Sequence, residues 1–260
     1  MGKPQIWAIA GAIALFLMLY LGFGIVPPKQ KDVEKSRSNN IESTGINNLI
    51  QEASPHLDGN KKSVIEALNL DLEKTKLDTN QMLKILKSLS GTWLDFGFPA
   101  ISGHYAENIA DIQNSDTTWS IAGTTYALCV KSDSIAKTKE FCSKRAVKAF
   151  EKAVSLSPQK IEHRINLAIC YVDNPNQQNP MQGIMMLRDL NTQYPNNVEI
   201  LNQLGKLAIQ TNQTDKAIKR LEDALAIEPD NNVTICLLVQ AYSQIGNAAK
   251  AEEFRKKCVN

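Results

Sequence analysis

From residue 116 onward the sequence repeats itself at a spacing close to 34 residues, the interval between Pro195 and Pro229. Trp119-x-x-Ala122-Gly123-x-x-Tyr126 is followed by Ala146-x-x-x-Phe150-x-x-Ala153 and Pro158. The next round has Leu167-Ala168-x-x-Tyr171, then Gly183, Leu187, Leu190 and Pro195; a third has Leu201, Leu204-Gly205, Ala217, Leu221, Ala224 and Pro229. A fourth opens with Leu238 and Tyr242, reaches Ala251, and carries Arg255 where a large apolar residue is expected. A unit of this length holds two helices and their turns, and one such pair cannot bury its apolar face alone. Small residues let the two helices approach to about 8–10 Å. Large residues fill the space to the neighbouring unit, and the prolines end each second helix.

These positions resemble the tetratricopeptide repeat family over about residues 116–258. The fold class that follows is all-α: an α-α superhelix, with units at about 116–160, 161–197, 198–231 and 232–260. The first unit carries an insert at 131–141 that is expected to lengthen both helices into a protruding arm. The second carries extra residues in the Asp173–Pro180 loop. With no solvating helix after it, the fourth unit's second helix is expected to serve as the cap. Upstream, residues 45–115 form an N-terminal helical region. Within it Leu89–Ile112 reads either as a degenerate repeat or as a plain helical hairpin. No segment alternates with period two for long enough to make a strand.

The other strong feature is Ile6–Val26, uncharged throughout and closed by Pro27-Pro28. At ~1.5 Å per residue its length matches the ~30 Å hydrocarbon core, so residues 1–27 are expected to be a retained transmembrane helix. Trp7, Tyr20 and Phe23 stand where interfacial anchors belong. Residues 28–44 are polar and aperiodic, a flexible linker. Sidedness is read two ways. Lys29, Lys31, Lys35 and Arg37 favour a cytoplasmic domain, whereas a short N-tail before a long apolar run has the form of an uncleaved export signal. The expected location is the inner (cell) membrane as a single-pass protein, its soluble domain periplasmic, with the cytoplasmic side as the alternative.

Lys+Arg and Asp+Glu number 29 and 27, which leaves no net basic surface for nucleic acid. His56, His104 and His163 lack ligand spacing and read as surface or capping residues. No P-loop, GxSxG, HExxH, GxGxxG, CxxC or C-x-x-C-H occurs, so no catalytic residue, metal site or cofactor is expected. A competing enzyme reading places a site around Trp93, Asp95 and His104. Cys129 and Cys142 bracket the insert. Either they face each other across an antiparallel turn, forming a disulfide that implies an oxidising compartment, or they are unrelated helix cysteines. Cys170 and Cys236 read as small buried hydrophobes and Cys258 as free.

What the resemblance implies about function is binding. In the family, the first helix of each unit lines a concave groove that holds an extended peptide or a helix. The matching positions here are Thr117, Ser120, Thr124, Glu162, Ile165, Ile169, Glu199, Asn202, Lys206, Gln210, Gln240, Ser243 and Gln244. Asn202, Lys206, Gln210 and Gln240 are the favoured cluster, since amides pair with a peptide backbone and Lys206 with a carboxylate. Leu237 stands where the family's chaperone-tail clamp needs a polar residue, so that ligand is not expected. The implied role is a non-enzymatic scaffold or assembly factor with a protein or peptide partner, similar to bacterial tetratricopeptide proteins tethered in the inner membrane. Cytoplasmic recruitment, or an accessory role resembling the anchored repeat proteins of cytochrome c maturation, is the alternative.

Overall fold

Capping side chains set the helix starts. Asp58, Asp78, Asn197, Asn231 and Asn247 each accept a hydrogen bond from the backbone N–H three residues on, and Ser115 forms a reciprocal box with Thr118. The computed structural model describes residues 44–75, 78–175 and 177–259; the apolar run at 6–26 and the linker to residue 43 lie outside the described residues. Among the described residues no helix is long and apolar enough to cross a membrane.

The helices are α1 (Ile46–Ala53), α2 (Gly59–Lys74), α3 (Thr79–Asp95), α4 (Pro99–Gln113), α5 (Asp116–Ser132), α6 (Ala136–Leu156), α7 (Ile161–Asp173), α8 (Gln182–Gln193), α9 (Val198–Gln210), α10 (Thr214–Ile227), α11 (Asn232–Gln244) and α12 (Ala248–Arg255). A 3-10 turn, Ser54–His56, follows α1, where Pro55 interrupts the helix. No strand occurs among the described residues. Each helix from α3 packs on the next, and the units from α5 onward pair as α5/α6, α7/α8, α9/α10 and α11/α12. The hairpin α3/α4 stacks on α5 in the same alternating order. It turns at Gly97, whose φ of 85° suits glycine. The turns inside the last two units place Asn212 and Gly246, 34 residues apart, in the same left-handed conformation.

The core runs the length of the stack. Trp93, Ile101, Tyr126, Phe141 and Phe150 fill its N-terminal part, Ile165, Leu187, Leu190 and Ile200 the middle, and Leu221, Leu238, Tyr242 and Phe254 the C-terminal end. A layer of small residues, Ala106, Ala110, Ala122, Ala149 and Ala153, seats Trp119 between α4, α5 and α6. On α2, Ile65 is buried and Val64 faces out.

The insert does lengthen α5 and α6, to 17 and 21 residues. It does not stand free. Phe141 is buried edge-on against Tyr126, Lys137 pairs with Glu52, and Ile135 and Thr138 border a small cavity with Leu49 and Ala53 of α1. The chain's last turn also departs from expectation. Helix α12 ends at Arg255, and the tail through Val259 folds back onto α11, so both the helix and a tail lie against it.

One buried ionic cluster ties three helices together. Glu107 on α4 is 5% exposed and accepts hydrogen bonds from the Tyr126 hydroxyl (2.8 Å), Arg145 Nη1 (2.7 Å) and Lys148 Nζ (3.1 Å). Burial opposes ionisation of its carboxyl, but the bonds from Arg145, Tyr126 and Lys148 outweigh it and hold the group below the usual range. The same burial, with the Glu107 charge beside it, pushes the Tyr126 phenol far up.

Two stability outcomes follow from this packing. A Cβ at Gly183 would lie 2.5 Å from the Ala168 carbonyl oxygen and 2.6 Å from the Val172 nitrogen, whereas at Gly205 it meets only the Leu221 side chain at 2.8 Å. Gly183→Ala is therefore expected to lose about 1–3 kcal/mol in thermal unfolding and Gly205→Ala less, because Leu221 can turn aside and backbone cannot. Glu107→Gln takes the anion from the half-buried Arg145 and the exposed Lys148 and weakens the Tyr126 bond, and is expected to cost about 1.5–3 kcal/mol at neutral pH. Because the folded carboxyl is depressed, its contribution is present above the unfolded value and lost as pH falls through the folded one. Acid titration of stability in the wild type should show that loss, and the variant should lack it.

Candidate functional site

The first helices of successive units meet along one seam, and side-chain size there decides where a groove opens. Between α5 and α7 the facing residues are small, and a cleft of about 350 Å³ remains, lined by Thr117, Ser120, Ile121, Thr124, Thr125, Lys160, Glu162 and His163. Ile121 is 55% exposed on its wall. It also borders a second hollow of about 270 Å³, where Lys87, Ser90, Gln113 and Thr118 reach in from α3, α4 and α5. The result is a trough of hydroxyls and aliphatic surface with cationic and carboxylate groups at its margins.

At the foot of the cleft Asp116 accepts from Lys160 Nζ (3.1 Å) and shares a 2.9 Å hydrogen bond with His163 Nε2. The His163 bond, and then Lys160, hold the Asp116 carboxyl far below its usual range. His163 is 2% exposed and is a junction residue between units, not the surface or capping group its sequence context suggests. Along the seam, Glu199 of α9 is raised from its ordinary value, first by partial burial and then by the Glu162 charge. The two carboxylates are near enough for one to disfavour the charge of the other.

The residues expected to line the groove divide accordingly. Thr117, Ser120, Thr124 and Glu162 come together in the open cleft, with Glu199 next along. Asn202 does not face the groove: it is 4% exposed, accepts from Thr234 Oγ1 at 2.8 Å and donates to Asn231 Oδ1 at 3.4 Å. Ile165 is fully buried in the core, and Ile169 is half-buried against it. Lys206 and Gln210 are exposed, but border only a crevice of about 10 Å³ with Ile169 and Val172. Gln240 and Ser243 are exposed on α11. Gln244 spends its amide on the fold, donating to Asn212 Oδ1 (2.7 Å) and the Ile209 carbonyl (3.3 Å) and accepting from Thr214 (3.1 Å). The favoured amide cluster is therefore not one surface, because the next unit's cap has claimed Asn202.

The cysteines pair. Cys129 and Cys142, both fully buried, form a disulfide across the base of the arm with Cα atoms 6.1 Å apart. Cys236, expected to be a buried hydrophobe, and Cys258, expected to be free, form a second. Cys170 is a free buried thiol, pushed up to about 12 by burial first. Around the enzyme candidate, Trp93 is 1% exposed and edge-on to Phe98, Asp95 is exposed, and His104 bonds Asn108 at 3.3 Å. Burial, and then the Arg145 charge, lower His104. These three side chains do not converge on a cavity. Among the described residues no cluster of His, Cys, Asp and Glu could hold a metal ion.

Comparisons with known proteins agree on the repeat. Residues 177–233 match the tetratricopeptide repeat family profile. No curated protein matches the chain. A tetratricopeptide repeat protein from Parabacteroides merdae ATCC 43184 superposes with a TM-score of 0.55 at 14% identity, over 82% of this chain and 78% of that one. That likeness is one of fold. MamA, residues 41 to the end, from Desulfovibrio magneticus RS-1 gives 0.46 at 17% identity, over 68% of this chain and 92% of that one. YrrB, described as a tetratricopeptide repeat protein with an unusual peptide-binding site, gives 0.40 at 16% identity, over 75% and 91%. Residues 177–233 thus carry the tetratricopeptide repeat profile, and the stacked helix pairs on either side of them follow the same fold.

Proposed function

We propose that this protein is a non-enzymatic scaffold that grips a protein partner in the trough running from α3 across α5 to α7. The carrying observation is the open cleft itself. Its walls are the exposed Ile121, Thr117 and Thr124, with Ser120 beside them, and no residue of the described fold fills it. Threonine and serine hydroxyls serve as donors or acceptors toward an extended backbone, and Ile121 offers an apolar contact. A partner segment with a cationic residue suits Glu162, the carboxylate that lines the cleft.

The membrane placement belongs to the same proposal: residues 6–26 anchor the chain and the repeat domain lies on the extracytoplasmic side. Two disulfides among five cysteines support an oxidising compartment. The lysines after residue 26 support the opposite side, as a cytoplasmic recruitment module.

Two experiments test this. A photo-crosslinking amino acid at Thr124 of the full-length chain is expected to form adducts with the partner, and one at Lys152, exposed on α6, is not. Ile121→Arg should abolish the Thr124 adduct with unchanged thermal unfolding. Adducts from Lys152 alone, or an Ile121→Arg chain that still crosslinks, would move the partner off the groove. For sidedness, alkaline phosphatase fused after Asn260 is expected to be active and green fluorescent protein at the same place dark. The reverse pattern would select the recruitment reading.

A further inference from the structure

The two disulfides occupy opposite kinds of environment. Cys129 and Cys142 have no exposed surface and sit among Tyr126, Phe141 and Phe150. Cys236 and Cys258 are both half-buried, at the open end of the stack. A disulfide is opened by a thiolate that must reach one of its sulfurs in line, so access separates the pairs before any difference in intrinsic strength.

The tail that carries Cys258 contacts α11 as a following first helix contacts α5 and α9. In the third unit Asn202, in the second turn of the first helix, bonds Asn231 and Thr234 at the start of the next first helix. Cys236 is the corresponding residue of the fourth unit, 34 positions on, and its partner is the tail. Likewise Asp116, the first residue of α5, reaches the next unit through His163. Asn232, the first residue of α11, reaches the tail: its Nδ2 donates to the Val259 carbonyl and its Oδ1 accepts from the Val259 N–H, both at 2.8 Å. Holding the tail across the edge of α11 are this amide clasp, the disulfide, and Cys258 packed on the last core cluster.

We propose that Cys236–Cys258 is a thiol–disulfide exchange site for dithiols, and that its opening releases the tail from the edge of α11. A thiolate of the dithiol attacks Cys258 Sγ, and the bonding pair of the old disulfide leaves on Cys236 Sγ. The dithiol's second thiolate then displaces Cys258 from the mixed disulfide. Two electrons and two protons pass to the protein; the dithiol becomes a disulfide, and Cys236 and Cys258 become thiols. Once released, the tail no longer covers Asn232 and Cys236 on α11. Cys129–Cys142 is untouched and the repeat stays folded.

The test uses the full-length oxidised chain and dithiothreitol as the dithiol, with alkylation at timed intervals and disulfide mapping by mass spectrometry. Cys236–Cys258 is expected to open about tenfold or more faster than Cys129–Cys142 under native conditions. Simultaneous opening of both pairs, or earlier opening of Cys129–Cys142, would overturn the proposal. A second readout follows the tail. Tryptic cleavage after Lys256 and Lys257 is expected to rise about tenfold on selective opening, as local release exposes backbone. The double variant Cys236→Ser, Cys258→Ser should be cut at that raised rate without reductant. Cleavage indifferent to both reductant and double substitution would show that the tail is not held by this bond, and would reject the latch.

Discussion

The stack depends on places where one helix lies too close to its neighbour to admit a side chain. At Gly183 the obstacle is the backbone of α7, at Gly123 the Phe150 ring, and at Gly205 the Leu221 side chain. At Gly103 it is the face of Tyr126, whose ring atoms lie 2.6–3.0 Å from where a Cβ would be. That last approach has a consequence beyond packing. With the ring this close to α4, the Tyr126 hydroxyl is carried to Glu107, and Glu107 in turn gathers Arg145 and Lys148 from α6. A glycine contact thus positions the one buried carboxylate that links α4, α5 and α6, so that steric fit precedes the electrostatics it makes possible.

Within units the packing rule is constant; between units the chemistry changes at each junction. The first junction is an ionic pair, Asp116 with His163. The second is apolar, with Ile165 and Ile200 in one cluster. The third is an amide clasp, Asn202 with Asn231 and Thr234. The last is the disulfide and amide clasp of the tail. A solenoid built of near-identical pairs could slip its neighbours in register. Different junction chemistries oppose that, because a polar group placed opposite the wrong neighbour would be buried without a partner.

This explains which parts of the molecule were legible in the sequence. Helix pairs, their order and their close approaches follow from spacing alone, because Gly123, Ala168 and Gly205 recur in register on the first helices, and Ala146, Gly183 and Ala217 on the second, with Phe150, Leu187 and Leu221. Spacing around a turn allowed Cys129 to oppose Cys142 but left unrelated helix cysteines equally open; the bond is seen only in the structure. The groove was only half legible. Ser120, Ile165, Asn202 and Cys236 hold the same place in four units, yet line a cleft, fill a core, clasp a cap and form a disulfide. Successive positions on a helix differ by about 100°, so a residue at the boundary between groove and junction goes wherever its neighbour's chemistry takes it. Asn202 reads as solvated until Thr234 is placed opposite it. Cys236 and Cys258 could not be paired from the repeat pattern, because their meeting requires α12 to stop short of the length of α10.

The same boundary argument places the groove. Where Ile165 meets Ile200, large side chains close the seam between first helices, and only a crevice remains farther along beside Lys206 and Gln210. Where α5 faces α7, the equivalent place holds Ser120, and the volume an isoleucine would take is left to solvent. Asp116 and His163 keep those two helices joined at the foot of the cleft, so the opening cannot collapse by the units sliding together. Behind it, the buried Cys129–Cys142 bond and the contact of the arm with α1 fix the far end of α5. Arm and groove are therefore not rival surfaces: the insert stiffens the helix that forms the groove's wall, and a rigid wall reduces the ordering cost when a flexible segment is bound against it.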